Sequence, residues 1–274
     1  MSASVLITGA SSGIGHSTAT HLAHEGWHVF AGVRSPEDAS FEAPVEVLEL
    51  DVTSAASIAA ARERVAAGTG GRLDALVNNA GIPVTGAVET IPVEDFRALI
   101  ETNLIGQFAV TKACLPLIRA AQGRIVFVGS LGGRVAFPYA SAYHASKFGI
   151  EGLAESLRSE MRPFGVEVSV IEPGSMATEI WGKGREHLSK VRAGLTPEQA
   201  EAYGEALAGF DETLASADEE GESPEAVAET IATALTASSP NERYVVGRGA
   251  RALTLLEPIL PAGVLDRVKR RVAG

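Results

Sequence analysis

Tyr143 and Lys147 stand four residues apart in the run Tyr143-His144-Ala145-Ser146-Lys147, with Ser130 upstream. On a helix, positions i and i+4 share a face, so the Lys147 ammonium is expected beside the Tyr143 phenol. A free tyrosine titrates near 10 and is a poor base at neutral pH; a neighbouring cation favours the phenolate. A tyrosine tuned in this way passes a proton to or from an alcohol oxygen, and Ser130 offers a second hydroxyl to the same oxygen. A Tyr-x-x-x-Lys pair recurs by chance, so the chemistry needs elements that hold a cofactor and a substrate against it.

The chain begins with such an element. Ser4-Val5-Leu6-Ile7 reads as a buried strand. It runs into Thr8-Gly9-Ala10-Ser11-Ser12-Gly13-Ile14-Gly15 and then a helical stretch through Trp27. Glycines 9, 13 and 15 permit a tight turn, close approach of the backbone to a pyrophosphate, and close packing of helix on strand. The free N–H groups at the helix start would face the phosphates. The next strand, His28 to Arg34, ends where dinucleotide-binding folds distinguish their two nicotinamide cofactors. An acidic side chain there binds a ribose 2′-hydroxyl; this chain has Val33 and then Arg34, whose guanidinium suits a 2′-phosphate. Ser11 could add a hydroxyl. NADP is expected rather than NAD.

These motifs resemble those of the short-chain dehydrogenases/reductases, in the single-domain branch with a GxxxGxG loop, over residues 3–180. The stretch Thr8 to Gly15 is similar to the family's cofactor loop, which implies cofactor contacts from Thr8, Gly9, Ser11, Ser12, Gly13, Ile14 and Gly15. Leu50-Asp51-Val52 resembles the segment that contacts adenine. Asn78-Asn79-Ala80-Gly81 resembles the family's NNAG stretch, and Pro173-Gly174 with Thr178 its segment near the nicotinamide. Asn103, Ser130, Tyr143 and Lys147 match the catalytic tetrad without departure. The resemblance implies that Lys147 holds the nicotinamide ribose and that Asn103 holds a water through a kinked helix. The flanking composition, VFAGVR early and ERYVVGRGAR late, is similar to members of the 17β-hydroxysteroid and retinol dehydrogenase kind.

Bulk properties agree with one α/β domain over residues 1–274, a doubly wound, Rossmann-like parallel sheet. The chain has 274 residues, 46% of them hydrophobic, enough for one large core. Short apolar runs such as Arg124 to Val128 and Val166 to Ile171 alternate with long Ala-rich helical stretches, the βαβ rhythm. A net charge of −11 argues against nucleic acid, whose phosphates need clustered Lys and Arg. The single cysteine, Cys114, cannot form an intramolecular disulfide and is expected as a small buried hydrophobe in a reducing cytoplasm. No signal peptide is evident at the N-terminus, and no apolar stretch is expected to reach the length of a membrane span. The chain is expected to form a homodimer or homotetramer.

Residues 177–215 are expected to form a mostly helical lid over the substrate, opening at low cost because the segment is rich in small and acidic residues. The substrate contacts expected are Ser130, Leu131, Phe137, Tyr143, Met176 and Trp181, an apolar set suited to a ketone or aldehyde and its alcohol. Of the histidines, His187 is the one considered for substrate contact. His144 lies about 100° around the helix from Tyr143 and is expected to stay out of the chemistry. No metal site is expected: His21 and His24 lack completing ligands. Ser223 with Pro224 opens a capped helix. Residues 244–274 form an extension with a last strand at Tyr244-Val245-Val246 and a basic amphipathic helix, one of whose possible roles is contact with an anionic membrane surface.

The function expected is an NADP-dependent oxidoreductase with Tyr143 as general acid/base. The alternatives are a non-catalytic NADP-sensing regulatory protein and a lyase or dehalogenase on the same scaffold. Both would tolerate loss of tetrad or loop residues, and none is lost here.

Overall fold

In the computed structural model, residues 2–247, Ala250 and Thr254 are described. Seven parallel strands form one sheet in the order β3-β2-β1-β4-β5-β6-β7. They are β1 (Ser4–Thr8), β2 (His28–Val33), β3 (Val45–Glu49), β4 (Ala75–Asn78), β5 (Arg124–Val128), β6 (Glu167–Pro173) and β7 (Arg243–Val246). The chain runs outward through β2 and β3, returns, and starts again at β4 on the other side of β1. Ligands in such sheets bind at the carboxyl ends of the strands where the direction reverses, here between β1 and β4.

The inner strands are buried on both faces, as parallel sheets require. Because successive side chains point to opposite faces, β1 splits its residues between two cores. Leu6 joins Phe30, Leu76, Ile125 and Phe127 beneath α2 (Ala55–Thr69), α4 (Gln107–Ala121) and α5 (Ser141–Met161). Val5 and Ile7 join Val29, Ala31 and Val77 beneath α1 (Gly13–His24) and α8 (Pro224–Thr236). Cys114 is buried in the first core, and burial pushes its thiol up to about 12. α8 starts as its sequence requires, with Ser223 Oγ accepting from the Glu225 N–H and Pro224 in the first turn.

One expectation is corrected. α3 (Val93–Ile100), a π-turn (Glu101–Gly106) and α4 run on as one helix, Val93–Ala121, which is long and apolar enough to cross a membrane by length and composition. Here Leu99, Val110, Leu117 and Ile118 on it are buried in the protein. The apolar positions are interspersed with polar ones, so no continuous apolar run marks its length in the sequence. The lid segment is helical, as α6 (Ile180–Ala193) and α7 (Pro197–Glu219), the latter opened by a Thr196–Gln199 capping box. Yet the pair has a small core of its own, in which Leu188 and Leu207 are fully buried with Phe210 and Leu214. Burying one such side chain is worth roughly 1.5–3 kcal/mol. The segment therefore has internal packing that its small and acidic composition did not suggest. The basic helix expected near the C-terminus, and with it the membrane-surface reading, lies outside the described residues.

Candidate active site

The glycine loop leaves β1 at Thr8 and enters α1 at Gly13. Gly9 has φ +65°, and a Cβ there would lie 2.8 Å from the Cα of Ala80; a Cβ on Gly15 would lie 2.3 Å from the Gly9 carbonyl oxygen. Only glycine fits either place. Thr8 Oγ1 accepts from the N–H groups of Asn79 and Ala80, at 2.9 and 3.0 Å. Asn79 Nδ2 donates to the carbonyls of Thr8 and Gly9. Thr8 and Ala80 thus bolt the loop after β1 to the loop after β4 and shape the cradle. The N-cap of α1, Ser12, makes no side-chain capping bond, so the first N–H groups of the helix keep their capacity for an anion. Ser11 is exposed on the loop. This cradle fits the pyrophosphate of a nicotinamide dinucleotide. Ile14, Asn79, Gly81, Pro173, Gly174 and Thr178 border the adjoining cavity, where its nicotinamide end would lie.

At the end of β2, Arg34 is exposed. Asp51 faces it across the sheet edge. Its carboxylate accepts from the Thr53 N–H and hydroxyl, and these bonds, with the Arg34 charge, hold it below the usual carboxylate range. The Val52 side chain is buried, and a Cβ on Gly106 would lie 2.7 Å from it, so a cofactor contact from Val52 would come from its backbone. Its side chain packs under the π-turn, which leaves Asp51 as the segment's outward group. Val33 is also buried, in the core beneath α1.

The catalytic helix is α5. Tyr143 and Lys147 lie on one face, with Lys147 Nζ 5.6 Å from the Tyr143 ring centroid. Burial raises the Tyr143 phenol, and its hydrogen bond with Ser130 opposes that rise. Lys147 Nζ donates to the Val128 carbonyl at 2.8 Å. Burial brings Lys147 from its ordinary 10.5 down to about 8, against the pull of the Glu151 carboxylate. The sequence suggested that the lysine charge would dominate the tyrosine. In the fold, burial dominates both groups, and Ser130 is the phenol's direct partner.

Asn103 sits in the π-turn, the kink that the resemblance implies. It is fully buried. Its Oδ1 accepts from the Ile82 N–H, and Nδ2 donates to the Ile82 carbonyl and to Ser146 Oγ. Ser146 in turn donates to the Tyr143 carbonyl. Asn103 therefore ties the loop after β4 to the second turn of α5 and, through Ser146, to the backbone of Tyr143.

Lys147 also gives a pH signature. Between about pH 8 and 10.5 the unfolded chain binds the lysine proton and the folded chain does not, so stability rises with pH across that window. The stability of the wild type relative to Lys147→Met should climb by up to about 3 kcal/mol from pH 8 to 10.5. Denaturant unfolding at several pH values checks this; a flat difference would show that the lysine is not desolvated.

Over these groups lies a cavity of about 360 Å³. Ser130, Leu131, Phe137, Tyr143, Met176 and Trp181, the six expected substrate contacts, all border it. Sequence reasoning missed Val84 and, from α6 and α7, Gly184, Phe210 and Leu214. It also assigned no role to His144 and considered His187 for substrate contact. His144 borders the cavity and holds the Ser130 segment: its Nε2 accepts from the Phe137 N–H at 2.9 Å, so Nδ1 carries the proton given to the Gly132 carbonyl at 2.8 Å. His187 does not border the cavity. It bonds Asp95 and the backbone of Thr85, clamping α6 to the body.

Comparison with known proteins agrees with this geometry. The family model described as short chain dehydrogenase matches residues 3–189. The 17-beta-hydroxysteroid dehydrogenase type 6 of Bos taurus is 36% identical, over 97% of this chain and 87% of that protein. The NADPH-dependent 3-dehydrocapnine reductase of Ornithobacterium rhinotracheale is 31% identical, over 96% of this chain and 94% of that one. A short-chain dehydrogenase crystal structure from Streptomyces avermitilis superimposes with a TM-score of 0.77 at 30% identity, covering 99% and 95% of the two chains.

Proposed function

Since the chain belongs to the short-chain dehydrogenase family and is an oxidoreductase acting on CH–OH groups with a nicotinamide cofactor, we propose that it interconverts an apolar ketone or aldehyde and its alcohol with NADP(H). The observation that carries this reading is one half-buried phenol, Tyr143, bonded to Ser130 with Lys147 beside it, facing a mostly apolar cavity. When bound, the nicotinamide supplies or takes the hydride.

The protein's residues do the rest. Ser130 orients the substrate oxygen and stabilises charge developing on it. Tyr143 gives that oxygen a proton during reduction and takes it back during oxidation. Lys147, held by the Val128 carbonyl, sets a positive field beside the phenol and is close enough to the cavity to hold ribose hydroxyls. The packed wall of α6 and α7 keeps water from the reacting atoms.

NADP preference rests on exposed Arg34, next to position 33, where NAD-selective folds have a carboxylate and this chain has Val33, and is supported by the name of the Ornithobacterium relative. A cytoplasmic location is part of the same proposal, supported by the single buried Cys114. So is self-association as a homodimer or homotetramer, supported by Ile105, Phe108 and Phe148, which are 45%, 50% and 45% exposed on the π-turn, α4 and α5. The test is a panel of hydrophobic ketones and aldehydes with NADPH and with NADH, read at the reduced-nicotinamide absorbance. Turnover with several ketones and a preference for NADPH is the expected result; cofactor binding without turnover on any of them would favour a regulatory protein.

A further inference from the structure

Around the cavity, nearly every side-chain hydrogen-bond donor has already given its proton to the backbone. Thr85 Oγ1 donates to the Gly184 carbonyl at 2.8 Å, Thr213 Oγ1 to Gly209 at 3.1 Å and Ser175 Oγ to Ala217 at 3.0 Å. Trp181 Nε1 donates to the Met176 carbonyl at 2.7 Å, and Thr178 Oγ1 to the same oxygen at 3.4 Å. Both protons of Asn79 Nδ2 go to the glycine loop, and the His144 ring is engaged at both nitrogens. Among the described residues, the side-chain donors left for a substrate are those of Ser130, Tyr143 and Lys147, at the catalytic end. No arginine borders the cavity among the described residues.

From this we propose that the site is selective for neutral substrates with one carbonyl, the one that reacts, and that it accepts a hydroxyl but not a second carbonyl or a carboxylate at the far end. The proposal rests on the reductase reading and sharpens it. A threonine or serine oxygen that has spent its proton still has lone pairs. The hydroxyls of Thr85 and Thr213 on the cavity wall are therefore acceptors, and they suit a substrate O–H. A second carbonyl finds no side-chain donor there among the described residues and gives up hydration that no side chain replaces, which should lower kcat/KM about tenfold to hundredfold. An ionised carboxylate costs far more to bury unpaired, so its loss should be on the order of 10³-fold or greater.

The test uses four compounds of one chain length with the full-length protein and NADPH: decan-2-one, 10-hydroxydecan-2-one, methyl 9-oxodecanoate and 9-oxodecanoate. The first two should agree in kcat/KM within about threefold, with the ester about tenfold or more below and the acid lowest. Turnover of the acid or the ester as efficient as that of decan-2-one would overturn the proposal. Ala217→Arg, which sets a donor at the cavity wall, should raise the acid-to-ketone ratio about tenfold; an unchanged ratio in the folded variant would count against it.

Binding separates this proposal from the reductase reading. The same compounds are ranked by the rise in Tm that they give in the presence of NADP, which reports affinity without turnover. That order with no NADPH oxidation would sink the reductase reading and leave the selectivity intact. Turnover with a flat or reversed order would do the opposite, and no Tm response to any of the four would overturn the selectivity as well.

Discussion

Tyr143→Phe should lower kcat by about 10²–10⁴-fold, the usual worth of a general acid–base group, while NADP affinity stays within about threefold of wild type. Among the described residues, the phenol is the one hydroxyl that both bonds Ser130 and stands beside Lys147. Phenylalanine removes that one atom and keeps the ring that packs near Val84, Leu99 and Ala142. Ser130 Oγ still accepts from the Gly132 N–H, so the oxyanion side of the site keeps its shape. The variant therefore tests proton transfer and not folding. Steady-state kinetics with a ketone and NADPH, alongside cofactor titration, checks it. Retention of more than about 10% of wild-type kcat would remove Tyr143 from the role of acid/base, because an uncatalysed proton transfer cannot supply so much.

What the sequence revealed of this site, and what it hid, follows from how far apart the interacting residues are along the chain. The glycine loop was legible because its constraint is local: a turn between one strand and one helix that only glycine can make. The tyrosine–lysine pair was legible for the same reason, through helical spacing. Edge strand β3 was harder to see, because Val45 and Val47 alternate with Glu46 and Glu49 along a half-buried edge and no long apolar run results. The cavity wall was hidden for a different reason. Thr85 meets Gly184, and His187 meets Asp95, across separations of 99 and 92 residues, so neither pattern nor propensity relates them. The small core of α6 and α7 was masked by an acidic, alanine-rich composition that reads as a solvated face. Only when Leu188 and Leu207 are brought together does the segment become a wall with its own packing. The role of His144 was hidden as well. Its neighbour relation to Tyr143 put it on another face of the helix, and nothing local shows that this face meets the turn that carries Ser130.

Arg34→Ala alone should move the preference for NADPH over NADH, measured as the ratio of kcat/KM values, by about 10²-fold or more. A hydrogen bond from a charged donor to a charged acceptor is worth roughly 1.5–3 kcal/mol, or about 10–150-fold. That is the share that the guanidinium supplies by bonding a 2′-phosphate directly. Asp51 enlarges the effect. Its carboxylate is held ionised by the Thr53 bonds and by the Arg34 charge. With Arg34 gone, an uncovered anion remains at the sheet edge. It repels a 2′-phosphate and can accept from a 2′-hydroxyl, the two interactions that favour NADH. Aspartate at position 33, where NAD-selective folds place their acid, is the wrong variant for this protein. Val33 is buried in the core beneath α1, and a charge there would cost stability before it reached a ribose. Arg34→Ala combined with Asp51→Asn separates the two contributions. If the double variant keeps the weakened NADPH affinity and regains none of the NADPH-to-NADH ratio, Arg34 acts by direct bonding alone. If the ratio returns part of the way, the uncovered Asp51 charge supplies the difference. An unchanged ratio in Arg34→Ala itself would mean that another residue reads the 2′-position.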